Sequence, residues 1–414
     1  MAGAPPMSHV PGRRSPQATL AAIGFAAIVA AVVAGGCTTT SAPTPPSLVP
    51  LVPPEALPVS TPAPTTTVAS SSDPNAPLLV ALPDTECGYA DPLPGGEITF
   101  VVGDRLFGMS LDATIARCLR QVQPAERGAV VWSPTATRAL MNTTTVFDVA
   151  GVRTSGFEVG ATRVQWEYPT GDALVAPVQS DRVLVRRDAA DPRNRSEVTF
   201  LGRTNVAIPH PAGGVRIAAG QAADGTRGIF AATDTGEGAK VLVTITDPAL
   251  DVLELAADPA GDAIWTITDN GAQFRVHQLR LGDLLVAELA TEQAPISRLT
   301  TGPSTRSLAW RVGLCNSVTT VDVLDERTGG AIRVGDGTPL AGQSLSPLGW
   351  LDAARLVVAA RPLGCDGPAD VWIWNQLDGS ATLLVKNAEF PAVRLPAVPS
   401  GPFAVDPAAQ PAVL

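Results

Sequence analysis

From Cys87 onward the apolar residues of this 414-residue chain fall in short runs separated by Gly, Asp, Pro and Asn. Runs of about five to eight residues, with a turn signal roughly every ten, predict strand after strand joined by tight turns. Residues 183–185, 240–245 and 370–374 show the pattern, being rich in the β-branched and aromatic side chains that half-buried strands favour. Residues 111–121 alone hint at a helix, and their second half reads as strand. Three strands are predicted ahead of the first repeat, at 97–101, 105–110 and 116–122.

The strands recur as a unit. Val131-Trp132-Ser133-Pro134-Thr135-Ala136-Thr137-Arg138-Ala139-Leu140 is echoed by Gln165-Trp166-Glu167-Tyr168-Pro169-Thr170-Gly171-Asp172-Ala173-Leu174, each reading as strand, Pro/Gly turn, strand. Looser copies begin at Gln221 and Ala256, and Trp310 and Trp350 mark two more. The mean spacing from Trp132 to Trp350 is about 44 residues, which suits one four-stranded propeller blade. The gaps are uneven, 34 residues from Trp132 to Trp166 and 55 from there to Gln221, as insertions in surface turns would produce.

The motif resembles the Trp-Ser-Pro-Asp-Gly repeat of TolB-like and related WD-like β-propellers, from which the first copy departs at Thr135 and Ala136, where the family has Asp and Gly. The resemblance spans most of 128–390 and bears on fold more than on activity. It implies an all-β propeller of seven four-stranded blades, six being the alternative. Residues 402–405 would add the strand that completes the early three, leaving no sheet edge open. That layout pairs Cys315 with Cys365, each a few residues before the third strand of adjacent blades, and so leaves Cys87–Cys118 to tie the linker end to the first blade. Trp132, Trp166, Trp310 and Trp350 become packing residues, while Trp372 and Trp374, two apart, share one strand face and favour the core.

The address lies at the other end of the chain. The uncharged run 20–33 follows Arg13 and Arg14 and ends in Ala34-Gly35-Gly36-Cys37, a lipobox-like site. At about 14 residues it is shorter than a spanning helix and is read as a lipoprotein signal peptide, 1–36, with lipid on Cys37. Ordinary cleavage after Gly36 or an uncleaved anchor are the plainer alternatives, and 15–17 lack the apolar residues of a twin-arginine signal. Residues 37–86 form a Pro/Ser/Thr linker, nearly free of charge, that at about 3.1 Å per residue reaches on the order of 140 Å. A domain, 87–414, follows at the end of this tether. With Cys37 lipidated, Cys87, Cys118, Cys315 and Cys365 are an even set, consistent with an oxidising compartment outside the cytoplasm. The Ala, Pro and Gly content, with Lys240 and Lys386 the sole lysines, resembles that of a high-GC actinobacterial protein.

Losing residues 1–36, which hold Arg13 and Arg14 and no acid, takes the formal net charge from −10 to −12, so nucleic acid is a poor partner. Catalytic and cofactor signals are scarce. His210, between two prolines, and His277, in an alternating strand, read as surface or packing residues. No Gly-x-Ser-x-Gly elbow, Walker loop, His-Glu-x-x-His or calcium loop is present, and no catalytic, cofactor or metal residue is assigned. Asp258–Trp265 has the wrong spacing for a sialidase Asp-box, and residues 234–238 read as a hairpin turn before a calcium site. The sequence therefore favours a membrane-tethered propeller that binds or scaffolds an envelope protein, peptide or glycan. The alternative is a hydrolase or lyase acting on polysaccharide or a lactone through channel carboxylates.

Overall fold

The computed structural model describes residues 82–83 and 86–414, apart from 149–150, 152, 156–162, 179–182, 192, 199–200, 234–238, 304–306, 326–327 and 398–400. The signal peptide, Cys37, nearly all of the linker and the turn at 234–238 lie outside the described residues.

Strands account for almost all regular structure. β1 (Glu97–Val102), β2 (Arg105–Ser110) and β3 (Ala116–Gln121) come first, followed by a single 3-10 turn, Pro124–Glu126. One sheet holds β4 (Val130–Trp132), β5 (Arg138–Met141), β6 (Thr145–Asp148) and β7 (Arg153–Ser155). The next holds β8 (Gln165–Trp166), β9 (Ala173–Val178), β10 (Val183–Asp188) and β11 (Arg195–Val198). Then come β12 (Arg203–Pro209), β13 (Val215–Gln221), β14 (Arg227–Thr233) and β15 (Lys240–Thr244). β16 (Asp251–Ala257), β17 (Ala263–Asp269), β18 (Phe274–Arg280) and β19 (Leu285–Glu292) form a fourth sheet. A fifth holds β20 (Ile296–Thr301), β21 (Leu308–Val312), β22 (Thr320–Leu324) and β23 (Ala331–Arg333). The chain continues through β24 (Ser344–Trp350), β25 (Arg355–Arg361), β26 (Ala369–Asn375), β27 (Ala381–Arg394) and β28 (Ala412–Val413).

Apart from β28, neighbours within each sheet pair antiparallel, and the inner strands of successive sheets touch from β12 through β16, β20 and β24 to β27 and β4. Apolar side chains between adjacent sheets form the core. Val206, Ile217 and Ile229 meet Val252, Leu255 and Ile264, and Ala309, Val321 and Val323 meet Leu345, Leu356 and Val358. Second strands are covered on both faces, so β17 (AIWTITD) is buried nearly throughout, whereas the outermost β19 has no fully buried residue. Trp374 is buried and Trp372 half-buried in the same core, as their shared face predicts.

Three expectations are corrected. The first is the blade count. In place of seven separate four-stranded blades, or six, five sheets stand alone and the remaining strands make one continuous seven-stranded sheet, β24-β25-β26-β27-β1-β2-β3. The reason is the 14-residue β27, whose earlier part pairs with β26 while Glu389–Arg394 pair with β1, with left-handed Asn387 and Phe390 bending it in between. The second is the closing strand. Residues 401–406 form no strand; instead β28, beyond them, adds a parallel fifth strand to β15.

The third is the repeat register. Trp132, Trp166 and Trp350 end the first strands of their sheets and Ala256 lies one residue short of that place, but Gln221 and Trp310 fall on second strands. The true equivalents are Pro209 and Thr301, which bring all but the first interval close to the length of one blade. Gln221 misled because its hairpin turn carries the same Asp-Gly signal as the motif.

Both expected disulfides are formed, Cys87–Cys118 and Cys315–Cys365, closing separations of 31 and 50 residues. The second joins the loop after β21 to the loop after β25 on one rim. Replacing both Cys315 and Cys365 with Ser is expected to cost roughly 2–4 kcal/mol by freeing the unfolded chain. Calorimetry of this pair variant checks it, and a melting temperature equal to that of the parent would show the bridge to be energetically idle.

Candidate ligand-binding channel mouth

The ends of the first strands converge on a cavity of about 530 Å³. Its walls come from Val131–Pro134 at the end of β4, Val164, Gln165, Trp166 and Tyr168 around β8, Pro259 after β16, Thr301–Pro303 at the end of β20, Trp350 and Leu351 at the end of β24, and Val393 with Leu395–Ala397 at the end of β27. Among the described lining residues none carries a charge. Aromatic faces and proline rings dominate, with Ser133, Gln165 and Thr301 as the polar positions.

Three tryptophans at the mouth are held by the neighbouring sheet. The indole N–H of Trp166 donates to the Val131 carbonyl at 2.9 Å, that of Trp350 to Thr300 O at 3.1 Å, and that of Trp132 to Thr99 Oγ at 2.8 Å. Each bond ties one sheet to the one before it and fixes the ring, so the mouth is preorganised. Trp310, on β21, is wholly buried away from the mouth, as is Trp265 on β17, which no repeat pattern had marked.

The turns behind the walls share one device. Ser133, His210 and Asp258 each precede a proline, and each side chain folds back to accept a backbone N–H: Ser133 Oγ from Arg138, His210 Nδ1 from Ala212, Asp258 Oδ1 from Ala260. His210 Nε2 then donates to the Gly261 carbonyl in the next sheet at 3.1 Å, which fixes a neutral tautomer. Gly261, at φ +85°, lies so close that an added Cβ would stand 2.9 Å from the imidazole. In the first copy Ala136 takes the equivalent left-handed position at φ 58°, where the family has glycine. His210 is thus a buried packing residue. His277 is also buried, on β18, bonded to Thr268 Oγ at 3.0 Å.

Of the carboxylates near the mouth, Glu97 and Glu167 are engaged by arginines and Asp258 only in part. Glu97, fully buried, pairs with the fully buried Arg394 at 2.5 Å and with Arg117 at 3.1 Å. Arg394 also donates to Ala136 O and Ala90 O and lies over the Trp132 ring at 4.1 Å. Glu167 sits between Arg186 and buried Arg216. Burial raises the Asp258 carboxyl above its ordinary value, and its Oδ2 finds no partner among the described residues. Among the described residues no cluster of His, Cys, Asp and Glu is fit to hold a metal.

Burial lowers both His210 and His277 below the ordinary histidine value. Their contribution is complete above the unfolded pKa of about 6.5 and is lost as pH falls below it, because the unfolded state takes the proton first. Asp258 acts with the opposite sign, in a window that opens above about pH 4. The melting temperature is therefore expected to drop between pH 7.5 and 5.5, and a His210→Gln, His277→Gln variant to lose most of that slope. An unchanged slope in the variant would assign the acid sensitivity elsewhere.

No family model matches the chain, and no curated protein matches it either. Solved structures do. TolB from Acinetobacter baumannii matches with 16% identity and a TM-score of 0.42, over 72% of this chain and 66% of that one, just under two thirds of its length. A putative TolB from Agrobacterium tumefaciens matches with 13% identity and a TM-score of 0.42, over 72% of this chain and 97% of that one. The β-propeller domain of Cps50 (Swd1) from Myceliophteria thermophila matches with 12% identity and a TM-score of 0.42, over 63% and 86% respectively. The likeness is one of fold, and it includes TolB, the family whose turn motif the sequence resembles.

Proposed function

We propose that this chain is a non-catalytic binding module, held at the extracytoplasmic face of a cell membrane by lipid on Cys37, whose channel mouth takes an uncharged segment of an envelope protein, peptide or glycan. The observation that carries the reading is the mouth itself, a rigid cavity of about 530 Å³ walled by indole and proline rings with no charge among its described lining residues. Such walls offer stacking and apolar contact to a sugar face or an extended peptide, and nothing that would hold an ion. The alternative of a hydrolase or lyase needs a pair of free carboxylates at the channel, whereas Glu97 and Glu167 are each committed to two arginines and Asp258 stands as a single acid with one unpartnered oxygen.

The test is capture from crosslinked envelopes with the parent chain and with Pro303→Glu, Pro396→Glu, which places charge at two exposed lining positions. A partner or glycan retained by the parent and lost by the variant supports the reading. Equal retention by both, or no reproducible capture, overturns it. Mass spectrometry of the mature N-terminus tests the anchor separately, the expected species being a lipid-modified Cys37.

A further inference from the structure

At the end of the sheets opposite the tryptophans the chemistry is reversed. By register Ser297 faces Arg311 across β20 and β21, and Ser344 faces Arg361 across β24 and β25, so both arginines lie at that far end of adjacent sheets. Arg311 donates through Nε and Nη2 to Ser297 Oγ, and Arg361 through Nε to Gly367 O. The two are 8% and 7% exposed. Arg216 and Arg394, the other deeply buried arginines, each pair with a glutamate. Among the described residues no acid lies within ion-pair distance of Arg311, Arg361 or the exposed Arg298 beside them. Glu254 is occupied by the backbone N–H groups of Arg298 and Leu299, and Asp366, on the loop after Arg361, is exposed.

Two buried polar atoms at this end are left without a partner, Arg361 Nη1 and Ser346 Oγ on β24. A guanidinium N–H buried without an acceptor is costly, so its retention points to an acceptor that the chain does not supply. Burial above all, and then the charge of nearby Arg298, hold Arg311 and Arg361 below the ordinary arginine value, against the opposing pull of Asp366 on both and of Glu254 on Arg311. The loops that directly follow the two arginines are pinned together by Cys315–Cys365 and expose Leu314, Val318 and Leu363, at 54%, 47% and 59%.

We propose that Arg298, Arg311 and Arg361, with Ser297 and Ser346, form an oxyanion site for an amphiphilic ligand, a carboxylate or phosphate whose apolar portion lies against Leu314, Val318 and Leu363. The guanidiniums supply charge-assisted donors, and the disulfide holds the apolar rim beside them. The site is independent of the tryptophan mouth.

Isothermal titration of the full chain with octanoate and with octyl phosphate tests it, acetate and inorganic phosphate being the tail-less controls and octyl glucoside the uncharged one. Saturable binding of one tailed anion is expected, weakened at least about tenfold in Arg361→Gln and Arg311→Gln by loss of a charge-assisted hydrogen bond. Which head group binds tells carboxylate from phosphate. Should the buried substitutions prevent folding, exposed Arg298→Gln and the small change Ser346→Ala carry the same expectation. No saturable binding of either tailed anion, equal binding in the variants, or equal affinity for octyl glucoside overturns the proposal.

Discussion

Replacing Arg394 with Met is expected to lower stability by about 3–5 kcal/mol, the cost of stranding a buried charge whose partner has gone. Glu97 would keep only Arg117, while Ala136 O and Ala90 O would lose their donor and the Trp132 ring its cation. With about 2.1 cal/mol/K of unfolding entropy per residue over roughly 330 residues, the loss amounts to a fall of about 4–7 °C in melting temperature. Gly108 leaves the space that the Glu97 carboxylate occupies, since a Cβ there would stand 2.4 Å from one of its oxygens. Adding Glu97→Gln to the Arg394 variant removes the stranded charge and should recover part of the loss, which a double-mutant cycle by calorimetry reads directly. A single variant that melts within about 1 °C of the parent would place the pair among ion pairs of no consequence.

A larger effect is expected from ending the chain after Ala388. Glu389–Arg394 would be lost, and β1, whose Ile98, Thr99 and Phe100 are buried, would face the channel with no partner on its inner edge. Each buried backbone group left unpaired costs roughly 1–3 kcal/mol, and several in a row exceed the net stability of a domain. The expected product aggregates and shows no cooperative melt by circular dichroism. Ending the chain after Ala397 instead keeps β27 and removes the tail, in which Phe403, Val405, Ala409, Ala412 and Leu414 pack on the core of β12–β19. That protein should fold and melt cooperatively at a lower temperature. A cooperative, parent-like melt from the shorter form would mean that β27 does not close the ring.

Local chemistry was legible and long-range geometry was not. β10, β15 and β26 follow from β-branched and aromatic runs, and the Trp-Pro-turn motif correctly marked the first-strand ends at Trp132, Trp166 and Trp350. The pattern failed where tryptophan serves only to fill volume, as at Trp310, and where Pro209 and Thr301 occupy the motif position without an aromatic residue. The closing strand was hidden because Asn387 and Pro391, residue types that turns favour, interrupt the apolar pattern of 381–394. The mouth was visible in part, since its tryptophans belong to the motif. Tyr168, Pro303 and Leu395 join them only once the sheets are arranged around a common axis. The arginines at the far end carry no local signature, because Arg311 and Arg361 are fifty positions apart and meet through register alone.

The pairing of β1 with β27 also sets a clock. The Thr99 hydroxyl donates to the carbonyl of Ala392, 293 positions further along the chain. Cys87 and Cys118 can find each other as soon as their short loop is out, but β1 gains its inner neighbour only after nearly every other strand has emerged. Contacts this distant are slow to form, and a chain delivered from its N-terminus must hold its earliest strands unfinished until then. The ring therefore matures only when delivery is nearly complete, and during that interval a folding helper would find its target in the exposed edge of β1.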